Sequence, residues 1–268
     1  MRIFLRFVFP LLLALISVQA ESRPSIRVQA GGWGAASAKD IEAVLSSVAD
    51  VLLPQFPNHA SARITVAFSD NGPRVLGEKA ADGAYQVLLN VNGARWDQFA
   101  YQFSHELCHI VTNFEHRDIG SPGSRSHQWF EETVCEAVSL ITLNRLASSW
   151  KESPPHAGWP EYAPAFQRYA ERLLASDHRR IPATMSLAAW YRENQRSLES
   201  DPYLRDKNEA AATTLFLLFE ADPNNLSAIA YLNGTRERGS FASYLASWHD
   251  CCPEPQRKFV QRLVALFG

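Results

Sequence analysis

The sequence predicts an α+β protein in which a small N-terminal mixed sheet is followed mainly by helices. Arg63–Phe68 and Tyr85–Val91 are rich in Val, Ile and Leu and are bounded by Asn, Asp or Gly, a pattern typical of strands. Other, longer segments repeat apolar residues every three or four positions, as a helix with one buried face does. With 46% hydrophobic and 20% charged residues, the 268-residue chain has enough apolar material for a core.

Residues 1–20 have the composition of a signal peptide. Two arginines precede an apolar run over 7–18, and the segment ends on the small residue Ala20. An uncleaved membrane anchor is the alternative, but the run is shorter than the roughly 20 apolar residues that a spanning helix needs, and Pro10 interrupts it. We therefore predict cleavage after Ala20, a secreted or periplasmic protein, and no stable membrane insertion after cleavage.

In chain order, the helical period predicts six helices, over Ala38–Leu53, Trp96–Phe114, His127–Leu146, Tyr162–Ala175, Asn208–Glu220 and Pro255–Phe267. A loop of Gly, Ser and Pro, Gly120–Ser126, separates the second helix from the third. We divide the chain into the signal peptide, a core over 21–150 and a helical C-terminal portion over 151–268 that closes a cleft.

Charge and cysteine spacing disfavour two kinds of function. The formal net charge is −2 and no cluster of Lys and Arg occurs, so we expect no nucleic-acid partner. The four cysteines are Cys108, Cys135, Cys251 and Cys252. No C-x-x-C spacing occurs among them, which disfavours a thiolate zinc site, whereas an exported protein can keep disulfides.

His105, Glu106 and His109 form the motif H-E-x-x-H within the helix predicted over Trp96–Phe114. At about 100° per residue, the two histidines lie within roughly 40° of each other, so both imidazoles can reach one metal ion. The apolar stripe of this helix lies on the opposite side. A carboxylate beside a metal-activated water can act as general base, which is the role we assign to Glu106. A helix whose histidines are only surface or hydrogen-bonded core residues is the alternative.

A third metal ligand is expected from the helix predicted over His127–Leu146. Its apolar stripe leaves Glu132 and Glu136 on the opposite face, so Glu132 is the expected ligand. Glu131 lies about 100° away and is expected to be solvated. Glu136, one turn further, is expected to accept a hydrogen bond from the free ring nitrogen of a ligand histidine. A plain solvated acid is the alternative for Glu136.

These residues resemble the gluzincin pattern of zinc metallopeptidases, which thermolysin-like and aminopeptidase N-like enzymes share. In that pattern H-E-x-x-H is followed by a helix with a ligand glutamate; here Glu132 follows His109 by 23 residues, in the segment WFEETVCEA. The resemblance covers about 96–137 and departs from the pattern at Thr133, where glycine is usual, and at Glu136, where aspartate is usual. It implies a zincin-like core with one Zn²⁺, three ligands, a base and an outer acid: His105, His109, Glu132, Glu106 and Glu136.

The resemblance also implies a residue of the C-terminal portion that stabilises the oxyanion. Tyr203 is our candidate, with a packing tyrosine as the alternative, and His127 is a further candidate. Gly83–Val87 lies roughly where the aminopeptidases carry a glutamate for the substrate amino terminus, and it lacks one, so endopeptidase action is favoured. The strand at Tyr85–Val91 would then be the sheet edge along which an extended peptide pairs.

The metzincin motif H-E-x-x-H-x-x-G-x-x-H is the alternative zinc pattern. Glu115 stands where its third ligand would be, and the neighbouring His116 is a further candidate. Thr112 occupies the glycine position of that motif, where the chain must turn sharply and a β-branched residue is unfavourable.

Cys108 and Cys135 each follow an expected metal ligand by three residues. We hypothesise a disulfide between them that clamps the two metal-bearing helices together. Adjacent cysteines such as Cys251 and Cys252 rarely bridge each other, because such a bridge is strained.

The sequence therefore predicts a secreted zinc peptidase that hydrolyses a peptide or protein substrate. An inactive relative that binds a peptide or a protein partner is the first alternative. A zinc hydrolase that acts on a bond other than a peptide bond is the second.

Overall fold

The computed structural model describes residues 23–116, 127–235 and 239–268, and it has the predicted α+β class. Its strands are β1 (Ser25–Val28), β2 (Arg63–Phe68), β3 (Arg74–Val75) and β4 (Tyr85–Leu89). Its helices are α1 (Ala38–Leu52), α2 (Trp96–Val111), α3 (Gln128–Glu152), α4 (Ala163–Leu174), α5 (Leu187–Ser200), α6 (Arg205–Ala221), α7 (Phe241–Cys251) and α8 (Glu254–Phe267). The predicted signal peptide over 1–20 and the loop Gly120–Ser126 lie outside the described residues.

The four strands form one mixed sheet in the order β1-β2-β4-β3. β2 pairs in parallel with β1 and with β4, whereas β3 runs antiparallel to β4. The prediction that Tyr85–Val91 forms the sheet edge is therefore wrong, because β3 covers that side of β4. The sequence pattern did not predict β3, since two residues are too short to show an alternation of apolar and polar side chains.

Local signals account for the first two helices. The side chain of Ser37 accepts a hydrogen bond from the amide of Asp40 and so caps α1, whose apolar stripe is buried as predicted. α2 ends at Val111, three residues earlier than predicted. Asn113 has a φ of 59°, and this left-handed residue turns the chain out of the helix.

The helix α3 lies at the centre of the molecule and has little exposed surface. It ends at Glu152, six residues beyond the predicted end at Leu146, and packs against α1, α2, α4 and α6. Phe130 and Val134 of its predicted stripe are buried, but so is Glu131, at 1% exposure. The prediction that Glu131 is solvated is therefore wrong: neighbouring elements cover α3 on nearly every side, so an angle of about 100° from the apolar stripe does not lead to water.

The C-terminal portion contains the three predicted helices α4, α6 and α8, and also α5 and α7, which were not predicted. Aromatic side chains of α7 join it to α3: the ring of Phe241 lies 5.0 Å from that of Trp129 and 5.2 Å from that of Phe130. The C-terminal portion thus shares a core with α2 and α3, the helices that carry His105, His109 and Glu132. None of the described helices combines the length and the apolar composition that are needed to cross a membrane.

Candidate metal centre

The packing of α2 against α3 brings His105, His109 and Glu132 together. The Oε2 atom of Glu132 lies 3.1 Å from Nε2 of His105 and 3.4 Å from Nε2 of His109. One ligand atom from each residue lies within 4.8 Å of the other two, so the group can hold a metal ion. Two imidazole nitrogens and one carboxylate oxygen suit several divalent metals, zinc among them.

Each of these side chains takes its position from its helix. The two imidazoles are one turn apart on α2, with ring centroids 5.0 Å apart. The opposite face of α2 is anchored by the fully buried Phe99, Phe103 and Leu107. Because the core holds that face, the histidines are directed toward α3, where Glu132 is presented.

The neighbouring glutamate carboxylates favour positive charge on the imidazoles of His105 and His109. Burial alone would disfavour the charged ring of His109, but Glu132 and Glu131 outweigh burial and hold its pKa well above the usual value. Burial likewise acts to raise the pKa of Glu132, yet His109 and His105 dominate and hold it well below the usual range. A metal ion that binds here must displace protons from the rings, so acid should oppose metal binding.

Glu106 lies beside this centre with 3% of its surface exposed. Burial raises the pKa of its carboxyl, against the opposing effect of His105 and His109. The backbone amide of Val75 on the edge strand β3 also acts to lower this pKa, and Val75 and Glu106 line the same cleft.

Glu131, expected in solvent, is instead bonded to a metal-ligand candidate. Its Oε1 lies 2.6 Å from Nδ1 of His109 and accepts a hydrogen bond from Thr112 Oγ1 at 3.0 Å. A carboxylate at Nδ1 orients the ring and keeps Nε2 free to bind metal. One sequence signal could have revealed this role: Trp129, Phe130 and Val134 surround Glu131 with large apolar residues on more than one side of the helix.

Glu136 does not make the predicted hydrogen bond to a ligand histidine. Its Oε2 is 3.9 Å from Nδ1 of His105, which is an ion-pair distance rather than a hydrogen bond. The carboxylate instead accepts hydrogen bonds from the Tyr101 hydroxyl and from Nη2 of Arg179. The alternative of a solvated acid does not hold either, because Glu136 is buried.

Arg179 joins Glu136 to the C-terminal portion. Its Nη2 is also 3.0 Å from Oε2 of Glu209 on α6, and Glu209 in turn accepts a hydrogen bond from Arg205 Nε at 2.6 Å. Sequence reasoning missed Arg179, because it lies in a short 3₁₀ turn, Asp177–Arg179, with no periodic pattern around it.

The centre opens into a cleft of about 390 Å³, which His105, Glu106, His109 and Glu132 line. Tyr203 is at its rim, 59% exposed, and its hydroxyl accepts a hydrogen bond from Gln128 Nε2 at 2.8 Å. The same Nε2 is 3.3 Å from Oε1 of Glu132, so Gln128 links Tyr203 to the metal-ligand group.

The remaining candidates lie elsewhere. His127 donates from Nε2 to the carbonyl of Gly239 and packs its ring against Phe241. Glu115, the metzincin-type candidate, forms an ion pair with Lys79 at 2.9 Å, and it is not part of the ligand cluster among the described residues. The side chain of His116, the other metzincin-type candidate, lies outside what the structure describes.

The hypothesised disulfide is not formed in the structure. Cys108 and Cys135 are buried free thiols, and Cys251 and Cys252 are also free. Burial and the neighbouring Cys108 hold the pKa of the Cys135 thiol well above its usual value, and Cys135 Sγ lies 3.5 Å from Nδ1 of His109.

No protein-family model matches the chain, and no curated protein matches it either. The chemistry of the centre is therefore inferred from its own residues.

Replacing Glu132 is expected to remove the metal, whereas replacing Glu115 is not. Loss of the only carboxylate among the three clustered ligand atoms should lower metal affinity by more than the roughly 10–100-fold that loss of an outer-shell partner causes. Metal content of the purified Glu132→Ala and Glu115→Ala variants, by elemental analysis after gel filtration, measures this. A Glu115→Ala variant that loses metal while Glu132→Ala retains it would identify the metzincin-type ligand set instead.

Proposed function

We propose that the protein is a secreted zinc-dependent peptidase of the gluzincin type, with a zincin-like core and endopeptidase action. One observation carries this proposal: two imidazole Nε2 atoms and a carboxylate oxygen meet in a cleft, beside a second, buried carboxylate with a raised pKa. His105, His109 and Glu132 would hold the zinc, and bound there it would polarise the scissile carbonyl and lower the pKa of a water molecule.

Glu106 is the general base in this proposal. Its carboxylate accepts a proton from the attacking water and passes it to the leaving amine. Burial supports both steps, because a pKa above the ordinary value makes the carboxyl a better proton acceptor and still allows it to donate.

The substrate is proposed to be a peptide or protein segment in extended conformation. Within the described residues β3 has no strand on its outer side, and Pro73, Arg74 and Val75 line the cleft. An extended peptide can add to such an edge through its backbone. This moves the proposed pairing edge from β4 to β3, which brings it next to Glu106.

Tyr203 is proposed to stabilise the oxyanion with its hydroxyl. Its support is its position on the cleft and its link through Gln128 to Glu132. A donor that meets the developing negative charge can lower the barrier by several kcal/mol. Endopeptidase action is favoured because Gly83–Val87 has no glutamate to bind a substrate amino terminus.

Metal removal and replacement test the proposal. The chain expressed with its leader is expected to be exported, to carry about one zinc per molecule, and to cleave an unfolded protein substrate. Dialysis against a chelator should abolish cleavage, and stoichiometric zinc should restore it.

Two outcomes would contradict the proposed function in different ways. A protein that holds zinc and binds peptides without cutting them is the inactive binding module. A protein that holds no metal after refolding with zinc has no such centre at all. Mass spectrometry of the cleavage products distinguishes internal cuts from the release of terminal residues.

A further inference from the structure

We propose that Asn233, in the C-terminal portion, is a positioning residue for the metal centre, and that it acts on His109 through Glu131. The inference rests on the metal ligands of the proposed function, though not on the reaction they perform. It gives the C-terminal portion a role in metal binding in addition to closing the cleft.

A continuous series of hydrogen bonds connects Asn233 to His109. Nδ1 of His109 is 2.6 Å from Oε1 of Glu131, and Oε2 of Glu131 accepts a hydrogen bond from Nδ2 of Asn233 at 2.8 Å. The hydroxyl of Tyr244 on α7 donates to Oδ1 of Asn233 at 2.8 Å. One carboxylate oxygen of Glu131 thus bonds to His109, and the other bonds to Asn233 in the C-terminal portion.

The backbone of Asn233 fixes the direction of its amide. The residue has a φ of 57°, in the left-handed region that asparagine tolerates better than most residues. Its Nδ2 also donates to the carbonyl of Thr112 at 3.0 Å, just after the end of α2. Asn233 therefore binds both the helix that carries His109 and the carboxylate that orients its ring.

An asparagine suits this position chemically. Its NH₂ group donates to a carboxylate, and its carbonyl accepts the proton of Tyr244. An aspartate would place a second negative charge against Glu131, which is buried. With Asn233 in place, both oxygens of Glu131 are held, and the plane of the carboxylate that faces His109 is defined.

Outer partners of this kind keep a ligand ring in the orientation and tautomer that bind metal, and their removal typically lowers metal affinity by about 10–100-fold. Without Asn233, Glu131 would keep its bond from Thr112 but could rotate about it. The imidazole of His109 would then present Nε2 to the metal for a smaller fraction of time.

Asn113 provides a matched control. It too has a left-handed backbone, with φ 59°, and it too ties the end of α2 to the C-terminal portion, by donating to the carbonyls of Ala230 and Leu232 at 2.7 and 3.0 Å. Its side-chain hydrogen bonds go to backbone carbonyls and not to Glu131. Glycine at either position accepts the positive φ without strain, so both changes remove side-chain hydrogen bonds and carry the same backbone-entropy cost.

The experiment compares Asn233→Gly with Asn113→Gly in the full chain. Zinc affinity is measured by competition with a chromophoric chelator, and circular dichroism checks that both variants are folded. We expect Asn233→Gly to weaken zinc binding by about 10–100-fold and Asn113→Gly to stay close to the wild type. Equal weakening in both variants, or none in Asn233→Gly, would overturn the proposal.

A double-mutant cycle separates positioning from a general loss of structure. If Asn233 acts through Glu131, Asn233→Gly should have a much smaller effect on zinc affinity in a Glu131→Gln background than in the wild type. Additive effects would show that Asn233 acts by another route and would overturn the proposal. If the wild type binds zinc but cleaves no peptide, the proposed function is wrong. The same affinity measurements still test this inference.

Discussion

Replacing Glu106 with glutamine is expected to lower kcat/KM for peptide hydrolysis by about 10²–10⁴-fold, the range in which a positioned general base contributes. The amide keeps the shape of the side chain, but it cannot take a proton from water. Folding should not suffer, because burial already disfavours the charged carboxylate that the change removes.

Metal content is the decisive companion measurement for this variant. Glu106 is outside the ligand cluster, so Glu106→Gln should bind zinc as the wild type does. Glu171→Gln, on the exposed side of α4, is the control for the substitution itself and should retain full activity. If Glu106→Gln, holding its zinc, cleaves peptides at the wild-type rate, the assignment of the base is wrong.

Replacing Arg179 with methionine is expected to destabilise the protein by about 3–5 kcal/mol, the loss typical when one partner of a buried ion pair is removed. The side chain of Arg179 is 0% exposed, and its Nη2 lies 2.5 Å from Glu136 and 3.0 Å from Glu209. Methionine fills much of the space but leaves two buried carboxylates facing each other without the intervening cation. Arg205 and His178 still pair with Glu209, so most of the cost should come from Glu136.

Chemical denaturation of the metal-free protein measures this effect, with the slope of the transition compared between variants. The neighbouring Arg180→Met is the matched control. The side chain of Arg180 is 66% exposed and lies 3.7 Å from that of Asp177, which is 99% exposed, so its loss should leave the midpoint nearly unchanged. Equal midpoints for the two variants would mean that the buried cluster contributes no stability.

The parts of the centre that follow from local helical geometry were predicted from the sequence. His105 and His109 share a face because they are four residues apart in one helix, and Glu132 was selected by its angle from the apolar stripe of the next helix. The structure brings all three together. The same reasoning was wrong about Glu131, because an angle on an isolated helix does not say how many neighbours will cover it.

Contacts between segments that are distant in sequence determined the features of the centre that were not predicted. Asn233 and Glu131 are separated by 102 residues, and Arg179 and Glu136 by 43, so no local pattern relates them. The two-residue strand β3, which lines the cleft together with Glu106, is likewise too short to show a periodic pattern.

The sequence by itself determined the α+β class, the two helices that carry His105, His109 and Glu132, and the residue types at the centre, because spacing along a helix sets which side chains share a face. Only the tertiary structure decided which carboxylate bonds to His109, which strand forms the edge of the cleft, and which residues of the C-terminal portion bond to Glu131 and Glu136. These features depend on which faces of each helix are buried by neighbouring elements. Such burial is a property of the whole fold and not of a local segment.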